Sequence, residues 1–225
     1  KIIGGVVNLL PYSFVVSTGI RSAEQVKGKK IGISRFGSNT DYVVRMALDQ
    51  LSVSANQVQV MQVGGSQARL AALKTGAIQA TVLSPEEALV AQRMGLTVLF
   101  DFIEKGIEFP HVTVVAREDY LESQGQTAKS FLKAYVEAVR YYKTHRAEAV
   151  KKIMSLSKLP ERQMAEIVYD GSLRATPDNG KPTVKGMEVV LDTLAKENPK
   201  AKNLTMQELI DLRFLPATTA NPSGS

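Results

Sequence analysis

The sequence of 225 residues has no cysteine, no tryptophan and only two histidines, His111 and His145. Without thiols there can be no disulfide, no iron–sulfur ligation, no thiolate zinc site and no cysteine nucleophile. Two histidines are too few for a histidine-rich metal site, and none is expected. The absence of cysteine assigns no compartment. Long apolar runs are missing as well, and no stretch approaches the ~20 residues needed to span a bilayer. The opening, 1–10, is interrupted by Gly5 and Asn8 and runs straight into Pro11 and Tyr12, so it reads as a buried strand and not as a signal peptide. Blocks of like charge are also absent. Lys and Arg number 28 against 22 Asp and Glu, a formal net charge of +6, dispersed in small basic clusters at 27–30, 151–152 and 196–202. That balance favours solubility or an anionic ligand over nucleic acid, whose binders concentrate basic residues on one element or interleave them with exposed aromatics.

What is present is an ordinary globular composition, 44% apolar and 22% charged, in a chain long enough to bury a sizeable core. Short apolar runs at 30–33, 58–63, 77–83 and 96–100 read as strands. Helical patterns at 39–51, 66–74 and 84–94 separate them. This alternation predicts a largely parallel sheet covered by helices. Extended runs at 12–17 and 111–116 flank it as connectors. Beyond Asp119 the pattern turns helical, over 127–145, 147–156, 160–169, 183–198 and 205–213. The last of these opens on a Thr205/Glu208 capping box. Residues 218–225 read as a polar tail. An α/β unit at 22–109, inserted between two connectors, is the plan of a hinged two-lobe protein, with 1–21 and 110–225 forming the other lobe.

The turn from Ile33 to Asp41 is the most informative segment. In open α/β sheets ligands sit beyond the carboxyl ends of strands, where helix N-termini offer free amides and partial positive charge. Gly37 lets the backbone approach a ligand closely, and Ser38, Asn39 and Thr40 add short hydrogen-bonding side chains. Arg35 offers a fork for a carboxylate, sulfonate or phosphate. A plain Ser38-x-x-Asp41 helix start explains part of the same pattern, and Asp41 would oppose a multiply charged anion. The run Gly32-x-x-x-x-Gly37-Ser38-Asn39 lacks the lysine of a phosphate loop, and neither a dinucleotide glycine motif nor a nucleophile elbow occurs. Gly64-Gly65 and Ser84-Pro85 end the second and third strands and point two further helix starts to the same edge. Ser84 with Glu87 also reads as an ordinary capping box. His111 has no acidic neighbour in sequence and reads as structural. Polar helix starts without a reactive group favour binding over catalysis.

The stretch Lys27-Gly28-Lys29-Lys30-Ile31-Gly32-Ile33-Ser34-Arg35-Phe36-Gly37-Ser38 resembles solute-binding proteins of bacterial ABC importers, of the nitrate/sulfonate/taurine/thiamine-precursor type. Asn8-x-x-Pro11-Tyr12-Ser13, the run from Arg69 to Ala80 and Phe131-Leu132-Lys133-Ala134-Tyr135 carry the same likeness. The resemblance implies a type 2 periplasmic-binding-protein fold, with two lobes joined by two crossing strands and closing on a ligand. It implies ligand contacts from Arg35, Phe36, Gly37, Ser38, Asn39, Thr40, Gly65 and Ser84 on lobe 2, with Asn8 and Tyr12 near the hinge on the lobe-1 side. Family members begin with a strand–helix–strand stretch that this sequence lacks, so lobe 1 is expected to be incomplete and to self-associate or loosen. The expected partners are a small anion or heterocycle and a membrane permease, with no cofactor and no nucleic acid. The expected site of action is periplasmic or otherwise extracytoplasmic, with a lipid anchor upstream allowed. Two competing functions share the fold. One is the effector domain of a transcription regulator. The other is a pyrimidine-synthesising relative whose cysteine-rich iron motif has no equivalent here.

Overall fold

The computed structural model describes residues 1–198, 201 and 203–217, with side chains 196 and 197 excepted. The tail at 218–225 and part of the basic cluster at 196–202 lie outside the described residues. The chain divides into two compact units. One comprises Lys1–Leu10, Gly106–Arg162 and the chain from Tyr169 onward; the other comprises Pro11–Lys105 and Gln163–Val168.

The unit built on Pro11–Lys105 is an α/β layer. Its strands are β2 (Ser13–Val16), β3 (Lys30–Ile33), β4 (Gln59–Gln62), β5 (Ala80–Leu83) and β6 (Thr97–Asp101), in the order β4-β3-β5-β2-β6. The helices α1 (Asn39–Gln50), α2 (Ser66–Thr75) and α3 (Pro85–Arg93) follow β3, β4 and β5. The parallel expectation holds for β4-β3-β5, where β3 pairs parallel to both neighbours. It fails for the rest of the sheet. β2, read as a connector, lies between β5 and β6 and runs antiparallel to both. All four of its residues are buried, so it is a core strand, and β6 never pairs with β5. Val15, Leu73, Ile78, Leu83, Ala88, Ala91 and Leu96 form one apolar cluster between sheet and helices. Gly32 is closely approached: a Cβ there would lie 2.5 Å from Ile78 Cδ1 and 3.2 Å from Val63 Cγ2, so those side chains would have to shift.

In the other unit β1 (Ile2–Leu9) pairs antiparallel with β7 (Glu108–Val115) in an irregular two-stranded ribbon. The helices are α4 (Glu118–Thr144), α5 (Arg146–Ser157), α6 (Arg162–Ala175), α7 (Val184–Glu197) and the single turn α8 (Met206–Leu209). Helix α4 starts nine residues before the expected 127 and kinks at Gln124, whose φ and ψ are −127° and 28°. Helix α8 has the expected Thr205/Glu208 box but ends early, because Ile210 leaves it to bridge Ile2. Ile3, Leu121, Ala128, Leu132 and Phe214 form the core beneath the ribbon.

His111, on β7, is half-buried, and burial pushes its imidazole below the ordinary 6.5. Its charged form is thus favoured in the unfolded chain, which binds the extra proton first as pH falls. Stability is complete above about pH 6.5 and declines as the pH drops through that value toward the lower folded value. Between pH 7.5 and 5.5 the melting temperature should therefore fall, and His111→Gln should flatten that slope. An unchanged slope in the variant would remove His111 as its source.

Candidate functional site

Three parallel strands end side by side at one edge of the α/β unit, and each feeds a helix N-terminus there. β3 leads into α1 through Ser34–Ser38, β4 into α2 through Val63–Gly65, and β5 into α3 through Ser84. Antiparallel β2 begins at the same edge, since Ser13 pairs with Leu83. Tyr12, just before it, therefore belongs to this edge too. The Asn39 amide donates to the Tyr12 hydroxyl at 3.1 Å, which ties the first turn of α1 to the start of β2.

The α1 turn is organised by its own side chains. The hydroxyls of Ser34, Ser38 and Thr40 lie 2.9 Å from one another in a closed triangle. Thr40 Oγ1 also accepts from Ser34 N at 2.9 Å, and Gln62 Oε1 accepts from Phe36 N at 2.8 Å. Ser38 caps the helix as its spacing predicts, accepting from Asp41 N. The buried Asp41 carboxylate takes the Gly37 amide at 2.9 Å and is held by Arg45 Nε at 3.0 Å. Gly37, with φ of 72°, needs its glycine. The turn therefore supplies its own anion, and of the expected free amides those of Ser34, Phe36, Gly37, Ser38 and Asp41 are already engaged. The face beyond it is open: Arg35 and Asn39 are exposed, and Phe36 keeps 55% of its surface.

The second and third helix starts are less self-contained. Gly65 caps α2 with an ordinary φ of −59°, and a Cβ built on it would meet no atom within 4 Å. The sharp turn before it is made by Gly64, at φ 102°. At α3, Ser84 N donates to Glu87 Oε2 at 3.1 Å. Ser84 and Glu87 form the capping box that their spacing predicts, although Ser84 Oγ is buried and its approach to the helix amide falls short of a regular hydrogen bond. Ser84→Ala should consequently leave stability within about 0.5 kcal/mol of the wild type, and not show the ~1 kcal/mol loss of a working serine cap. Chemical denaturation measures the difference directly, and a full capping loss would contradict the unpartnered hydroxyl.

The residue that sequence reasoning missed as a site residue is Arg69. It is 4% exposed, and its guanidinium lies across the ends of two strands. Nε donates to Thr81 Oγ1 at 3.0 Å, Nη1 to Gly64 O at 2.7 Å and Nη2 to Val82 O at 3.2 Å. Burial lowers its pKa from the ordinary arginine value, while the negative charge of Glu87 acts in the opposite direction. The signal was available in the spacing, since Arg69 shares a helix face, at i and i+4, with the buried Leu73. An arginine in the alanine-rich run Gln67–Lys74 looks instead like a solvated surface residue. Beside α3 a cleft of about 410 Å³ is lined by Ser13, Pro85, Asp101 and Glu104 among others. It is acidic, and the Asp101 carboxylate is already occupied by Ser13 Oγ at 2.6 Å and Glu104 N at 2.9 Å.

Asn8 lies in the other unit, on β1. Its amide nitrogen donates to Lys181 O at 2.8 Å, and its Oδ1 is buried without a partner. Of the residues marked from sequence, then, the structure gathers Tyr12, Arg35, Phe36, Gly37, Ser38, Asn39, Thr40, Gly65 and Ser84 along the carboxyl ends of β3–β5. Asn8 helps to hold the segment at 180–182 against β1.

No curated protein matches the chain by sequence. Among solved structures, the chain resembles the periplasmic aliphatic sulphonate binding protein SsuA from Escherichia coli. The TM-score is 0.68 at 19% identity, covering 99% of this chain and 71% of that one. The alkanesulfonate-binding protein SsuA from Xanthomonas axonopodis pv. citri, bound to MOPS, gives 0.64 at 16% identity over 91% and 70%. A cysteine-to-serine variant of DSZB in complex with biphenyl-2-sulfinic acid gives 0.72 at 12% identity over 95% and 77%. These likenesses establish the periplasmic-binding-protein fold. Residues 1–149 match the family described as NMT1/THI5 like, and with two thirds of its length so matched the chain belongs to the NMT1/THI5-like family.

Proposed function

We propose that the chain is the solute receptor of an ABC importer. On this reading it binds a small organic anion or heterocycle of the sulfonate, nitrate, taurine or thiamine-precursor class and hands it unchanged to a membrane permease outside the cytoplasm. The observation that carries the reading is the convergence of three helix N-termini on one edge, joined to β2 by the Asn39–Tyr12 hydrogen bond. Such an edge offers an anion its oriented dipoles and those backbone amides that the α1 turn and Glu87 do not already engage, and holds it without covalent chemistry. The sulfonate-binding proteins of similar fold support the ligand class, and their place in import systems supports the permease as partner. The similarity to DSZB, a desulfurization enzyme, raises a catalytic alternative. A chain without cysteine has no equivalent of the residue replaced in the DSZB variant, which favours binding.

Isothermal titration with 1-propanesulfonate, taurine and nitrate, followed by recovery of the compound, tests the proposal. Saturable one-to-one binding of one of them, with the compound recovered intact, is expected. The absence of saturable binding across the panel, or steady conversion to product, would overturn it. Because Gly65 has an ordinary φ and open space at its α-carbon, Gly65→Val should lower affinity at least tenfold with a melting temperature within a few degrees of wild type. Unchanged affinity would place the ligand away from the α2 start.

A further inference from the structure

Arg69 is a buried cation bonded only to neutral oxygens. Its three hydrogen bonds go to Thr81 Oγ1, Gly64 O and Val82 O, which leaves two of the five N–H donors of the guanidinium without a bonded acceptor. No carboxylate of the described residues forms a salt bridge with it. A buried charge is costly unless it is paired, and a charge under a protein surface acts on what binds above it far more strongly than one in water. The side chain also fastens two ligand-edge elements together, because Gly64 precedes the open Gly65 and Val82 lies two residues before Ser84. Ser84 Oγ is itself a buried hydroxyl with no acceptor for its proton. A cation without a salt bridge among the described residues, a donor lacking an acceptor and an unfilled space at Gly65 thus belong to one short stretch of the strand-end edge. A singly charged oxyanion seated over Gly65 would bring the charge that Arg69 lacks to this stretch of the edge.

We infer that Arg69 is the specificity-determining residue of this edge, selecting a monoanionic oxyanion group over a neutral group of the same shape. The inference rests on the receptor reading above and deepens it. Glu87 opposes this selection. Its carboxylate accepts from Ser84 N and its charge acts on Arg69, so it offsets part of the positive field the ligand meets. The edge is thereby tuned for one negative charge and not for two.

The test compares 1-propanesulfonate with the neutral, nearly isosteric 1-propanesulfonamide, by titration calorimetry at low salt. The wild type should prefer the sulfonate at least tenfold. Arg69→Met should lose that preference, bringing the two affinities within about threefold of each other. Arg69→Lys, which keeps the charge but not the three-way fork, should bind both more weakly and retain the preference. Glu87→Gln preserves an acceptor for Ser84 N, and should tighten the sulfonate about three- to tenfold while leaving the sulfonamide unmoved. A purely structural role for Arg69 would weaken both ligands equally in the methionine variant and leave Glu87→Gln silent, and that result overturns the inference while the receptor reading stands. If the methionine variant does not fold, the lysine and Glu87→Gln variants decide in the same terms. A wild type that binds both probes equally overturns the inference alone, and one that binds neither overturns it together with the sulfonate reading.

Discussion

Phe14→Ala should cost about 3–5 kcal/mol, the range for truncating a fully buried aromatic, and lower the melting temperature by roughly 6–20 °C. Phe14 has no exposed surface and sits in the middle of the α/β sheet, opposite Val82 on β5 and Phe100 on β6. Its loss leaves a cavity where two strand pairs meet, and rigid neighbours on both sides cannot close it. The effect should reach the ligand edge. Tyr12 lies two residues upstream, bonded through its carbonyl to Phe102 N at 3.1 Å and through its hydroxyl to Asn39. Hydrogen exchange should therefore speed up along β2, β5 and β6 and in the first turn of α1, and less in β1 and β7. A loss below 1 kcal/mol would mean that β2 is only a link, as its short apolar run first suggested.

Gly5→Ala should produce the second large loss, at the upper end of the ~1–3 kcal/mol usual for overpacking and confined to the unit that contains β1. An added Cβ would lie 2.6 Å from Pro182 Cα, 2.7 Å from Lys181 O and 2.8 Å from Asn8 Oδ1. Two of the three are backbone atoms, which cannot swing aside as a side-chain tip does. Both backbone groups of Gly5 are also in use. Its N–H donates to Gly180 O at 2.7 Å, and its carbonyl accepts from the Tyr135 hydroxyl at 3.1 Å. The variant must push the 180–182 segment off β1, breaking the Asn8–Lys181 bond as well. Amides of β1 and β7 should lose protection while those of β3 and β5 keep theirs. A variant as stable as wild type would show that this segment does not seat on Gly5.

The parts of this structure that were legible in the sequence are those governed by local chemistry. Ser38 caps α1 by accepting from Asp41 N, and the Thr205/Glu208 box opens α8. These pairs of neighbours announce themselves at fixed spacing. What was not legible depends on partners distant in the chain. β2 is four residues long, and nothing within it says that it will lie antiparallel between β5 and β6. Helix α4 begins at Glu118 although 118–125 is polar and carries Gly125, because Leu121 and Ala128 pack with Ile3 and Phe214. Ile210 leaves α8 for a bridge to a residue more than two hundred positions away. At the candidate site the turn residues were visible, but how they spend their donors was not. The hydroxyl triangle closes on itself and Asp41 fills the Gly37 amide, whereas the buried positive charge at this edge sits on Arg69, bonded to Thr81 and Val82 of β5.

The placement of the ligand at the carboxyl ends of β3, β4 and β5 can be read residue by residue from the backbone amide resonances of the isotope-labelled protein during titration with 1-propanesulfonate. The account predicts saturating shifts at Asn39, Thr40, Gly65 and Ser84 and at the Arg69 side-chain N–H. It also predicts small shifts at the opposite end of the sheet, where a polar pocket of about 480 Å³ is lined by residues including Ser17, Thr18, Lys27 and Lys29. Saturating shifts around Ser17–Lys29, with Gly65, Ser84 and Arg69 unmoved, would contradict it.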